Sequence, residues 1–198
     1  MKTPRRAATV AALGFLAINF LAARADAQAR TWAPVAGKSS VTFNAAFPLG
    51  DFSGTADDVT GEFRADPTDL RQGVTGVLRV KAAALRTGDD GRDRQMRGAL
   101  AVERYPEIRF TVEHIDASFP SLTDRGDVLL TIKGVMSIHG VERPMVFPGR
   151  VRLRDDKLWV RGENSVKMSE FGMKPPSRLF VSVKDTVLVS FDVTLSPQ

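Results

Sequence analysis

The sequence predicts an all-β fold: about eight strands in one antiparallel sheet system, of the kind barrels and deep sandwiches use, with one short helix capping an end. Three observations predict it. Apolar and polar residues alternate along most of the chain, the period-two pattern of strands wet on one face. Clusters of turn-forming residues separate the alternating runs at short intervals. A single stretch, 92–102, has helical composition instead.

Residues 1–27 stand apart from this pattern. A basic head carries Lys2, Arg5 and Arg6, residues 7–23 carry no charge, and Ala25-Asp26-Ala27 supplies an A-x-A cleavage motif. This reads as a signal peptide removed after Ala27, with cleavage after Ala29 fitting as well. The competing reading is an uncleaved anchor, because the apolar run approaches the length that spans a bilayer. Asn19 and the A-x-A motif argue against it. The residues around Arg5-Arg6 match a twin-arginine signal poorly, so the general secretory route is expected. What remains, 28–198, has the length of one domain.

The elements follow in order. Val41, Phe43, Ala45 and Phe47 share one face of a strand that ends at the turn Pro48-Leu49-Gly50-Asp51. A second turn lies at Asp66-Pro67-Thr68-Asp69. Val74, Leu78, Val80 and Ala82 then face away from Thr75, Arg79 and Lys81. Gly88-Asp89-Asp90-Gly91 is a loop. In the helix that follows, Met96, Ala99 and Leu100 share a face, Arg92 and Asp93 stand at the start, and Tyr105-Pro106 makes the stop. Ile108, Phe110 and Val112 face away from Arg109, Thr111 and Glu113. Between Asp127 and Ile138 both faces carry apolar residues, which predicts a strand covered on both sides. Asp124-Arg125-Gly126-Asp127 and His139-Gly140 bracket it as turns. Val151 and Leu153 oppose Arg150, Arg152 and Arg154 before a turn at Asp155-Asp156. The last run alternates from Leu179 to Leu195, long for an ordinary strand.

Composition excludes several functions. The whole chain is +5, but residues 1–27 hold much of the excess, and the remainder is only +2. No basic patch is interleaved with aromatics, so nucleic acid is not an expected partner. The absence of cysteine removes thiol catalysis, thiolate metal sites and cysteine lipidation. His114 and His139 lie 25 residues apart without metal-ligand spacing, one along a strand and one in a turn. There is no G-x-S-x-G elbow and no glycine-rich phosphate loop. Asp57-Asp58, Asp89-Asp90 and Asp155-Asp156 sit among turn formers and read as solvated turns. No catalytic residue, metal or cofactor is expected.

An apolar interior with soft and aromatic side chains is left. Phe43, Phe47, Phe52, Phe63, Phe110, Phe147, Phe171, Phe180 and Phe191, with Met96, Met136, Met145 and Met173, either fill an ordinary core or line a cavity. A closed barrel of about eight strands permits both.

Three blocks of residues bear on that choice. The first is Ser39-Ser40-Val41-Thr42-Phe43 with Gly54, then Gly61-Glu62-Phe63 through Asp66. The second is Leu85-Arg86-Thr87-Gly88, Arg92-Asp93 and Met96-Arg97, closing with Tyr105-Pro106-Glu107-Ile108-Arg109-Phe110. The third is Met136-Ser137-Ile138-His139-Gly140-Val141-Glu142-Arg143-Pro144, with an echo in Glu170-Phe171-Gly172-Met173. In this order and at these spacings the chain resembles the YceI-like family of exported lipid-binding proteins. The resemblance implies a lipocalin-like antiparallel barrel whose long pore holds a polyisoprenoid, such as a quinone tail or a polyprenyl phosphate. It also implies residence in the periplasm or outside the cell. One departure is the stretch Ala99-Leu100-Ala101-Val102-Glu103, where the family carries phenylalanines.

Alternation and resemblance together assign a ligand-binding wall. Its strand residues are Phe43, Phe47, Phe63, Leu78, Phe110, Met136, Val189 and Phe191. Met96 and Leu100 come from the helix, and Phe171 and Met173 from the segment before the last strand. Arg92 or Arg97 would meet a phosphate or quinone oxygen at the mouth; the competing role for both is an ion pair with Asp93 or a loop carboxylate. The expected function is to carry or sequester an isoprenoid or other long-chain amphiphilic lipid, without catalysis. The rivals are a filled, structural or stress-protective barrel and an enzyme using the barrel interior. Loading through a membrane or membrane protein, and pairing as a homodimer, are left open.

Overall fold

The computed structural model describes residues 29–71, 73–122, 126–178 and 181–198. The expected signal peptide, Asp124-Arg125 of one turn, and Leu179 and Phe180 of the last run lie outside the described residues.

Among the described residues, ten strands form one sheet and two short ones a separate hairpin. β1 (Arg30–Pro34) and β2 (Ser40–Ala45) run one after the other along β12 (Thr186–Pro197). The kink between them is held by Val35 N–H donating to the Thr194 carbonyl at 2.8 Å. β3 (Phe52–Ala56) and β4 (Val59–Ala65) are likewise one stave, interrupted at Asp57-Asp58; β3 pairs with β2, and β4 with β1. Next in chain order come β5 (Thr75–Lys81), the helix α1 (Asp90–Leu100), β6 (Glu107–Ala117), β7 (Val128–Ile138), β8 (Val141–Arg154) and β9 (Lys157–Lys167). Counting each interrupted pair as one stave, the sheet closes through β1 and β12 into an antiparallel eight-stranded barrel with one helix.

Binary patterning puts the apolar set inside. On β7, Val128, Leu130, Ile132, Met136 and Ile138 are buried. Leu129 on the other face is 64% exposed, which corrects the expectation of a strand covered on both sides: its outer face is wet. On β6, Ile108, Phe110 and Val112 point inward until a bulge between Val112 and His114 shifts the phase by one residue. Ile115 then takes the inner face, and His114 stands outside beside Asp116 at 3.0 Å. The tight turns His139-Gly140 and Asp155-Asp156 have positive φ at both residues, as two-residue hairpins with right-twisted strands require.

Two other expectations are corrected. The helix starts at Asp90, inside the expected loop, because the Asp89 carboxylate caps it by accepting from Arg92 N–H at 2.7 Å. It ends at Leu100, where Ala101 turns left-handed (φ 47°), well before Tyr105-Pro106. The last alternating run is not one strand. β10 (Ser177–Arg178) and β11 (Val181–Ser182) pair with each other, and β12 begins only at Thr186. The break is fixed at Asp185, whose carbonyl accepts from Met168 N–H at 3.0 Å while its carboxylate accepts from Ser169.

The two ends of the barrel differ. At one end residues 66–71 and 118–122 meet beneath the strands. Trp32, fully buried, donates from Nε1 to the Ala65 carbonyl at 3.2 Å nearby; burial of such a ring stabilises by about 3 kcal/mol. At the other end lie the β2–β3 loop, α1, the His139 turn and residues 168–178 and 181–185.

Candidate functional site

The barrel encloses a cavity of about 790 Å³. That is far beyond the voids of an ordinary core and within the range of ligand pockets, about 300–1,000 Å³.

Its width has a cause in the sequence. Three inward phenylalanines stand directly across from glycines on the neighbouring strand: Phe43 from Gly54, Phe63 from Gly76, and Phe191 from Gly162. Each ring lies where a Cβ on that glycine would be, 2.6 Å from it in the case of Phe191 and Gly162. The rings therefore lie along the wall rather than projecting into the centre, a use of glycine beneath aromatics that also supports the sheet. Phe147 joins Phe110 and Phe191 edge to face, at 5.2 and 5.7 Å between ring centres. Aromatic area thus lines the lumen without filling it.

The lining is apolar along its length. Val187, Val189, Phe191, Val193 and Leu195 supply it from β12, Ile108, Phe110, Val112 and Ile115 from β6, and Leu158, Val160 and Val166 from β9. Among the described residues, the lining side chains that carry polar groups are Asp89, Arg92, Gln95 and Ser177. All four lie at the α1 end. Leu49, 68% exposed, also borders the cavity there, so this end is the mouth.

A short chain of hydrogen bonds positions the mouth. The buried Asp93 carboxylate accepts from Thr87 N–H at 2.8 Å and from Thr87 Oγ1 at 2.6 Å. Thr87 in turn accepts from Arg92, Nε to Oγ1 at 3.2 Å and Nη2 to the carbonyl at 3.4 Å. The Arg92 guanidinium sits 4.9 Å from the centre of the Phe52 ring. Across the mouth, the Asp185 carboxylate accepts from Ser169 Oγ at 2.5 Å and Ser169 N–H at 2.8 Å. The Ser169 hydroxyl, followed by its backbone N–H, holds this carboxyl below its usual range.

Of the residues assigned from sequence, Phe43, Phe47, Phe63, Leu78, Phe110, Met136, Val189 and Phe191 lie on the cavity wall, with Met96, Leu100, Met173 and Arg92. Two do not. Phe171 ends a single 3₁₀ turn and is fully buried in the core packing behind the wall. Arg97 lies a helical step off the Arg92–Met96–Leu100 face and does not border the cavity. It stands in the last turn of α1, where a cation suits the helix dipole. Neither arginine pairs with Asp93, which is occupied by Thr87. Sequence reasoning missed Gln95, although it stands three residues from Arg92 on the same helical face. It also missed Leu49, Leu70 and Val74, which sit in loops or at a strand edge where no periodicity marks them. Among the described residues no cluster of three or more His, Asp or Glu side chains is arranged to hold a metal ion.

The chain was compared with known proteins. The family model of the YceI-like domain matches residues 32–195. BcnA of Burkholderia cenocepacia is similar in structure, with a TM-score of 0.70 and 18% identity over 81% of this chain and 98% of its own. A polyisoprenoid binding domain from Saccharophagus degradans has a TM-score of 0.66 and 16% identity, over 84% of this chain and 98% of its own. The YCEI protein of Campylobacter jejuni has a TM-score of 0.57 and 17% identity, over 73% and 84%. No curated protein matches the chain.

Proposed function

The chain belongs to the YceI-like family, and from that premise we propose that its barrel binds the tail of a long isoprenoid lipid and carries or sequesters it without catalysis. One observation carries the reading: among the described residues the lining of a lumen of about 790 Å³ is apolar except at one mouth, where its polar side chains are gathered. Such a site suits a molecule with one long apolar part and one small polar end. Each CH₂ moved out of water contributes about 0.8 kcal/mol, so an isoprene unit contributes about 3–4 kcal/mol. Tight binding then needs few polar contacts. The Saccharophagus degradans neighbour's description as a polyisoprenoid binding domain supports the same ligand class.

In this reading Phe43, Phe63, Phe110, Phe191 and Met136 contact the tail, and Met96 and Leu100 cover it where it enters. Arg92 and Gln95 donate to the acceptor oxygens of a phosphate or quinone head. Residues 1–27 direct export and are cleaved after Ala27, which places the mature protein in the periplasm or outside the cell; N-terminal sequencing of the exported protein tests that assignment. The binding claim is tested by titrating the purified barrel with a fluorescent apolar probe and displacing it with a polyprenol. Saturable one-to-one uptake and displacement are expected. Failure to take up the probe or the polyprenol removes the function and leaves the fold.

A further inference from the structure

The lumen is open at one end and floored at the other, and the floor is built as a unit. Residues 66–71 and 118–122 meet there and bond to each other through the backbone: Leu70 N–H to the Pro120 carbonyl at 2.7 Å, and Leu122 N–H to the Pro67 carbonyl at 2.9 Å. The first connection is also fixed from within. The buried Asp66 carboxylate accepts from Thr68 N–H at 2.8 Å and Thr68 Oγ1 at 2.7 Å, and Asp69 N–H donates to the Asp66 carbonyl at 3.1 Å. Trp32 clamps the strand that enters it. Leu70 stands on this scaffold, 5% exposed, with its side chain at the cavity's inner end; Leu122, 1% exposed, lies in the layer beneath.

A floor pinned by this many bonds gives a linear tail a fixed depth. We propose that Leu70, backed by Leu122 and Trp32, sets the length of tail the protein prefers, so that the barrel selects isoprenoids by number of units as well as by class. The inference rests on the lipid-binding reading above. When the donor is a bilayer, every unit of the tail is already out of water. A tail of the right length therefore exchanges one apolar surrounding for another. A longer one strands a unit in solvent at the mouth, which lowers transfer by about a few hundredfold per unit. A shorter one leaves wall contacts unmade.

The test loads the protein from neutral phosphatidylcholine vesicles holding an equimolar ladder of all-trans prenyl alcohols, and reads the bound lengths by native mass spectrometry. The wild type should show a peak at one length with a sharp fall above it. Leu70→Ala deepens the floor and should move the peak up by about one unit, since it removes three of the roughly five carbons such a unit needs. Leu70→Phe raises the floor, leaves no cavity beneath it, and should move the peak down. Leu129→Ala, on the outer face of β7, should leave the peak in place. A broad distribution without a cut-off, or the same peak in both Leu70 variants, overturns the inference while leaving the carrier function intact. Binding of no prenyl alcohol by the wild type overturns the carrier reading, and the length selection with it.

Discussion

Phe43 and Gly54 face each other directly across β2 and β3, and the Phe43 ring occupies the space that a Cβ at Gly54 would need. The Arg86 carbonyl, 3.1 Å from that Cβ position, blocks escape in the other direction. Gly54→Ala therefore drives the ring into the lumen. The expected outcome is a loss of about 1–3 kcal/mol by denaturant unfolding, together with a reduced capacity for the apolar probe. Ala at a glycine with open space, such as Gly98 on the outer side of α1, should leave capacity unchanged.

The Asp93–Thr87–Arg92 chain holds the helix over the mouth. Asp93→Ala leaves the Thr87 N–H and hydroxyl without their acceptor and releases the strap that carries Arg92. Stability should fall by about 2–3 kcal/mol, read as a lower urea midpoint. Hydrogen exchange should rise first in α1 and in residues 85–88, because the barrel strands do not depend on this bond.

Arg92 borders the lumen with its guanidinium held over Phe52 and hydrogen-bonded through Nε and Nη2 to Thr87, so its charge is presented without further ordering. Arg92→Gln should weaken a polyprenyl phosphate about tenfold more than the matching polyprenol. Arg97→Gln should change neither, since that side chain lies off the cavity face. Equal losses for both lipids on Arg92→Gln would remove the head-group role and leave Arg92 as a support of the loop.

Asp185 supplies a pH dependence. Its carboxyl is held below the usual range by the Ser169 hydroxyl and N–H, so its folded pKa lies under its unfolded one. A group of this kind stabilises fully above the unfolded pKa and loses that contribution as pH falls through the folded value. Exchange at Ser169 N–H should therefore accelerate as pH drops below the ordinary carboxylate range, after correction for intrinsic rates, and mouth residues 168–178 and 181–185 should loosen ahead of the barrel. In Asp185→Asn that added pH dependence should disappear.

Much of this was legible in the residues, for reasons that differ by position. Alternation identified the wall because a barrel strand buries every second side chain: Val41, Phe43, Val189 and Phe191 needed only a count of two. What stayed hidden depended on contacts distant in sequence. Leu129 looked buried by composition, and only the closed ring shows that its face is outside. The alternation through Val183 and Asp185 reads as one strand, yet Ser169, 16 positions earlier, captures the Asp185 carboxylate and ends it. Phe171 and Arg97 were assigned through motif resemblance, and a motif residue serves the fold as readily as the ligand. The phenylalanine–glycine pairs that keep the lumen wide require the strand register, which no single-sequence pattern supplies.

The most direct test of the central claim is native mass spectrometry of the exported, processed protein purified without detergent, followed by organic extraction and identification of whatever is released. One lipid per barrel with an isoprenoid tail, retained under native conditions and lost on denaturation, is the expected result. A protein that emerges without lipid and takes up no added polyprenyl lipid would contradict the claim.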